Sequence, residues 1–225
     1  MIQFLELNKL TPEQIAKIMR RAEQDIRELL PLAQEVIDQV RIRGDEAVVE
    51  YARRFDAADF SASMLRATRE DFARARSELT PAVIEAIEAA HDNIKRFHEE
   101  QMPESMWFTE VKPGIMAGEK ISPVASVGLY VPRGKGAFPS VMLMLATPAK
   151  VARVPRIVVV SPPAPSGRAD AATLVAAEIC GIDEVYVVGG MQAVAALAYG
   201  TASIPKVAKI IGPGSSYVSA AKRIL

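Results

Sequence analysis

The chain of 225 residues is half hydrophobic and 24% charged, and its 27 basic and 27 acidic residues leave a formal net charge of zero. A chain of this size buries a sizeable core, its charge balance excludes a global field that would draw it to nucleic acid or anionic lipid, and no uncharged apolar run nears the roughly 18 residues of a membrane span. A single cysteine, Cys180, excludes an intrachain disulfide or a cysteine-cluster metal site, and the opening MIQFLELNKLTPEQ lacks a secretory pattern, so the expectation is a cytoplasmic protein.

The first hundred residues read as helices. TPEQIAKIMRRA offers Thr11 as N-cap, Pro12 at the first helical position and Gln14 to close a capping box. Pro31 is expected to interrupt the pattern, with a fresh helix carrying Ala33, Val36, Ile37 and Val40 on one stripe. Gly44 ends it, and Asp45 is expected to cap the next helix, whose Val48, Tyr51, Ala52 and Phe55 repeat the spacing. Thr80-Pro81 opens a long helix with Ile84, Ile87, Ile94 and Phe97 expected inward. These helices are amphipathic, and none carries a chemical motif.

From about Trp107 the period changes. WFTEV, GIMAGEKI and ASVGLYV read as short strands joined by Pro/Gly turns. The runs RIVVVS, EVYVVGG and KIIGPG follow, separated by helical stretches at Ser140–Arg153, Arg168–Cys180 and Met191–Tyr199, and SSYVSAAKRIL reads as a last helix. Strands alternating with helices of this length imply βαβ units and a parallel sheet, and near-continuous Val/Ile runs fit a sheet covered on both faces. The expected fold is α/β: amino-terminal helices with short strands near their end over 1–121, then a Rossmann-like parallel βαβ sheet over 122–225.

In such sheets ligands bind beyond the carboxyl ends of the strands. Three strand-to-helix turns lie there, YVPRGKGAFPS, VVGGMQAVAALAYGT and IGPGSSYVSAAKR. Their glycines let a ligand approach the backbone, and free amides at a helix start favour an anionic group such as a pyrophosphate. Ser140 and either Ser215 or Ser216 are candidate N-caps; Tyr130, Gln192 and Tyr217 offer polar contacts. A tight βα turn needs glycine for packing alone, and none of the three spells G-x-G-x-x-G or a phosphate-binding lysine motif. Three at one sheet edge favour a ligand of nucleotide size.

Other chemistry is sparse. His91 and His98 are seven residues apart on one helix, about 10 Å by helical rise, which suits hydrogen bonding better than a metal pair needing i,i+4 spacing. Cys180 reads as a small buried hydrophobe, Met142 and Met144 as core filling, and Lys222-Arg223 as a solvated helix face. No nucleophile–histidine–acid arrangement and no paired carboxylates are legible.

Several long segments nonetheless resemble one family. VGLYVPRGKGAFPSVMLMLATPAKVARV, EVYVVGGMQAVAALAYGT and KIIGPGSSYVSAAKRIL, with VRIRGDEAVVEYARRFD and AIEAAHDNIKRFHEEQ upstream, closely resemble histidinol dehydrogenase, in register from about Val36 to Leu225. The resemblance implies a zinc-dependent oxidoreductase of histidine biosynthesis that oxidises L-histidinol to L-histidine in two hydride transfers to NAD, working as a homodimer. It implies cofactor contacts at Tyr130 and Gln192, and at Ser215, which stands where the family usually has asparagine. A second departure is Arg133-Gly134-Lys135, where Gly-Gly usually follows the proline.

Family members are about twice as long. The zinc ligands, the proton-handling glutamate–histidine pair and the substrate contacts lie beyond the matched half, so the resemblance assigns no catalytic and no metal residue here. The expectation is a chain inactive alone, with apolar surface where a carboxy-terminal half or a second copy would pack. Two other readings stay open: a paralogue oxidising another small amino or hydroxy alcohol, and a non-catalytic nucleotide- or partner-binding module.

Overall fold

The computed structural model describes residues 4–134, 136–164 and 166–225, without the side chains at 17 and 20–25. Helix α1 (Pro12–Arg43) starts on the expected capping box, in which the Thr11 hydroxyl accepts from the Gln14 N–H and the Gln14 side chain accepts from the Thr11 N–H. It runs unbroken through Pro31, so the expected break is absent. Pro31 and Arg27, the residue whose carbonyl loses its partner, are both exposed, so the missing backbone bond falls on the side of the helix open to solvent.

Gly44, at φ +58°, ends α1 and is also the N-cap of α2 (Asp45–Phe55), a role expected of Asp45. Asp45 instead accepts a hydrogen bond from the Ser203 hydroxyl at 2.7 Å, tying α2 to a distant loop. Helices α3 (Arg69–Glu78) and α4 (Pro81–Glu100) follow. On α4 Ile87 is buried and Ile84 and Ile94 half-buried, but Phe97 lies open to solvent beside His98, against expectation.

An antiparallel ribbon of β1 (Met106–Lys112) and β2 (Ile115–Lys120) comes next, every residue of it exposed, Trp107, Phe108 and Met116 included. The parallel sheet then forms from β3 (Ser126–Tyr130), β4 (Arg156–Ser161), β5 (Val185–Val187) and β6 (Lys209–Ile211), in the order β5-β4-β3-β6. Its crossovers are α5 (Pro139–Val151), α6 (Ala171–Ile179) and α7 (Gly190–Tyr199), and α8 (Ser216–Ile224) follows the last strand.

Val127, Leu129 and Val158–Val160 are buried, as a sheet covered on both faces requires. Helix α5 starts with Pro139 at its first position and Phe138 as N-cap, not with Ser140, because proline's fixed φ suits the first turn. On that helix Met142 fills the core, whereas Met144 faces solvent. Cys180 is buried, 3.6 Å from the Thr147 hydroxyl.

The buried residues form one cluster that takes in Val36, Ile37 and Val48 of the first helices together with the sheet. Helix α1 packs on α7 and α8, α3 on α6, and α4 on α5. Residues 65–67 lie along the outer edge of β5, with Ala67 N–H donating to Val185 O and Val187 N–H to Leu65 O, so that edge is partnered. No helix among the described residues is long and apolar enough to cross a membrane.

Candidate functional site

Strand order fixes where a ligand can enter. The chain moves from β3 outward through β4 to β5, then returns to place β6 on the other side of β3. Crossovers that diverge from β3 leave a crevice beyond its carboxyl end, the position where open α/β sheets bind ligands. A cavity of about 440 Å³ lies there, in the size range of small-molecule sites.

Tyr130, the last residue of β3, is buried at this end, and its Oη accepts a hydrogen bond from the Gly190 N–H at 3.0 Å. Burial pushes the phenol's pKa up, the Gly190 N–H pulls it down and the nearby Asp56 charge pushes it up again. The phenol therefore keeps its proton, and because its oxygen already accepts, the O–H can donate to a ligand.

Gly189 and Gly190 open α7 with no side-chain cap. A β-carbon on Gly189 would collide with Pro162, and one on Gly190, at φ +67°, would sit 2.5 Å from Gln192 Oε1. Glycine at both positions brings the helix start against β4 and leaves room for the Gln192 amide. Gln192 is only 3% exposed and lines the cavity, so its amide can meet a ligand there.

Ser215 is the N-cap of α8 by backbone conformation, but its hydroxyl makes no capping bond, and the residue lines the cavity with Tyr217. The turn before it is pressed against β3: a β-carbon on Gly212, at φ +132°, would overlap the Tyr130 carbonyl, and one on Gly214 would lie 2.5 Å from Val218. Two helix starts without side-chain caps thus border one cavity, each with backbone amides suited to an anion.

The sequence-expected residues Tyr130, Gln192 and Ser215 therefore meet at one site. Arg133 and Gly134 do not line it, and Lys135 lies outside the described residues. Lys222, expected on a solvated face, is half-buried and donates from Nζ to Gly212 O at 2.6 Å; burial lowers its pKa. His91 pairs with its neighbour Asp92 at 3.0 Å. Among the described residues no group of three or more His, Cys, Asp or Glu could hold a metal ion.

The opposite wall was not legible as a site. It comes from α1 (Leu32, Glu35, Val36) and from α2 with the residue after it (Tyr51, Arg54, Phe55, Asp56). Phe55 was expected to pack inward like Tyr51, but it is largely exposed and its ring stacks parallel to Tyr51, 6.1 Å between centroids. Asp56 is open to solvent on one side, yet the protein on the other desolvates its carboxyl and pushes the pKa up to about 6.

Comparison with known proteins adds a family to this geometry. The model of the family described as histidinol dehydrogenase matches residues 19–225. The chain belongs to the histidinol dehydrogenase family. The histidinol dehydrogenase of Synechocystis sp. is 51% identical over all of this chain and 52% of its own length. A protein of Rhizobium meliloti described as a histidinol dehydrogenase homolog is 47% identical over all of this chain and 49% of its own. The crystal structure of histidinol dehydrogenase from Elizabethkingia anophelis superposes with a TM-score of 0.83 at 32% identity, covering 87% of this chain and 45% of that one. The chain spans about half the length of the curated relatives it matches, and corresponds to the amino-terminal half of this oxidoreductase family.

Proposed function

We propose that these residues form the dinucleotide-binding part of an NAD-dependent oxidoreductase acting on L-histidinol or a similar small amino alcohol. The observation that carries the reading is the meeting of Tyr130, Gln192 and Ser215 with two helix starts at the crevice beside β3. The donor set suits a dinucleotide. Amides at the starts of α7 and α8 take the pyrophosphate, the Tyr130 O–H and the Gln192 amide bond the sugar or carboxamide oxygens, and Leu32, Val36 and Phe55 present an apolar wall to a base. Asp56, ionised above about pH 6, accepts from a ribose hydroxyl and repels a phosphate in its place, which favours NAD over NADP.

When bound, NAD supplies the hydride acceptor. Oxidation of an alcohol also requires a positioned substrate and a base. No histidine lines the cavity, and the donors here do not fit zinc, so no step is assigned to a metal. The 225 residues alone are proposed to bind the cofactor without turning over histidinol.

Calorimetric titration tests the reading. NAD should bind saturably and more tightly than NADP, and absence of binding at millimolar NAD would overturn the cofactor assignment. Steady NADH formation from histidinol by the metal-stripped chain would overturn the division of labour. The resemblance to relatives described only as homologs favours, as a second reading, a paralogue of altered substrate. In that case the chain complemented with a carboxy-terminal half would reduce NAD with another amino alcohol and not with histidinol.

A further inference from the structure

We propose that Lys222 is a positioning residue for the cavity: its ammonium clasps the Gly212 carbonyl and holds the β6–α8 turn, and with it Ser215 and the first amides of α8, against the end of β3. The inference rests on the cofactor reading for its effect on affinity, and on geometry alone for the clasp.

A lysine on a terminal helix ordinarily extends its head into water. This one is half-buried, and its Nζ lies 2.6 Å from Gly212 O, the single hydrogen bond it makes among the described residues. The bond joins the second turn of α8 to a residue ten positions earlier and so closes a ring around Pro213, Gly214, Ser215, Ser216 and Tyr217. One end of the ring is fixed, because Gly212 sits so close to the Tyr130 carbonyl that no side chain fits between them. The other end is fixed by Val218, Ala220 and Ala221, all buried.

Between those anchors Ser215 O accepts from the Ser219 N–H at 3.0 Å, a bond within the helix that does not tie the turn to β3. The Ser215 hydroxyl makes no capping bond, and Ser215 and Tyr217 both line the cavity. Without the ammonium, Gly212 O loses its donor and the start of α8 gains freedom to swing away from Tyr130. A ligand would then have to order the turn as it binds, which weakens affinity.

The test uses the full chain. Lys222→Met keeps the packed stem and removes the donor; Lys222→Arg retains a cationic donor; Arg223→Met alters an exposed neighbour with no such bond. Hydrogen exchange of the Ser219 amide, whose bond to Ser215 O closes the first turn of α8, should quicken about tenfold in Lys222→Met, with recovery in Lys222→Arg and no change in Arg223→Met. The dissociation constant for NAD should rise by a similar factor in Lys222→Met alone. Unchanged exchange overturns the clasp. Faster exchange with unchanged NAD affinity overturns the positioning role. Faster exchange in a chain whose unmutated form never binds NAD supports the clasp and removes the cofactor reading instead. Should Lys222→Met fail to fold, the unmutated chain decides: Lys222 Nζ protons exchanging as fast as those of exposed lysines would overturn the proposal.

Discussion

Replacing Tyr130 by phenylalanine tests the centre of the site, because one hydroxyl does two things there. The ring is buried and phenylalanine fills the same volume, so packing is conserved. What disappears is the acceptor for the Gly190 N–H, 3.0 Å away at the uncapped start of α7. Orphaning a shielded donor costs about 1–3 kcal/mol, and in a domain of this size each kcal/mol lowers the melting temperature by roughly 2–4 °C. Tyr130→Phe should therefore melt roughly 2–12 °C lower by calorimetry. Loss of the outward O–H should also weaken NAD binding about two- to tenfold in a titration. A variant that melts within 1 °C of the parent, about the error of such a measurement, and binds NAD equally would show that the hydroxyl neither supports the helix start nor meets the ligand.

Three further outcomes are expected. The Asp56 carboxyl is pushed up to about 6 from an ordinary 3.8; an acid with a raised folded pKa destabilises the fold only once ionised, so the penalty is absent below about pH 4, grows through pH 6 and is complete above it. Asp56→Asn should thus raise the melting temperature at pH 8, leave it unchanged at pH 4, and narrow the preference for NAD over NADP in a competition titration. Gly190→Ala places a methyl 2.5 Å from Gln192 Oε1 at φ +67°; the left-handed conformation alone costs about 1–2 kcal/mol, so chemical denaturation should show that loss, and NAD affinity should fall as the amide is displaced. Gly128→Ala drives a methyl within 2.8 Å of the fully buried Leu197 on the sheet interior; denaturation should show a loss of about 1–3 kcal/mol from overpacking, with NAD affinity nearly intact.

The sheet and the half of the site on its rim were legible because the signals are local. Val/Ile runs mark strands covered on both faces, and each turn places its glycines and its polar residue within a few positions of a strand end. Tyr130, Gln192 and Ser215 meet because three such turns share one rim. The facing wall was illegible for the opposite reason. Leu32, Val36, Phe55 and Asp56 precede the sheet by some seventy residues or more and stand on helices whose apolar stripes look the same whether they meet a core or a ligand. Phe55 and Phe97 keep the spacing of buried positions yet stay exposed, and only tertiary packing decides that. Lys222 was misplaced because a lysine near a helix end normally faces water; its partner, Gly212 O, is a backbone atom and leaves no mark in the residue pattern. Pro31 was over-weighted because a proline on the outer side of a long helix costs less than one facing the core.

Helix α1 lies against α7 and α8. During synthesis it emerges about 180 residues before the last of the helices that shelter it, which at 5–20 residues per second is roughly ten to forty seconds. Until then α1, with its stripe of Val36, Ile37 and Val40, has only the part of its final cover that α2 and later α7 supply, and chaperones are suited to shield the rest. A nascent chain arrested before α8 would therefore leave the face of α1 that meets it uncovered.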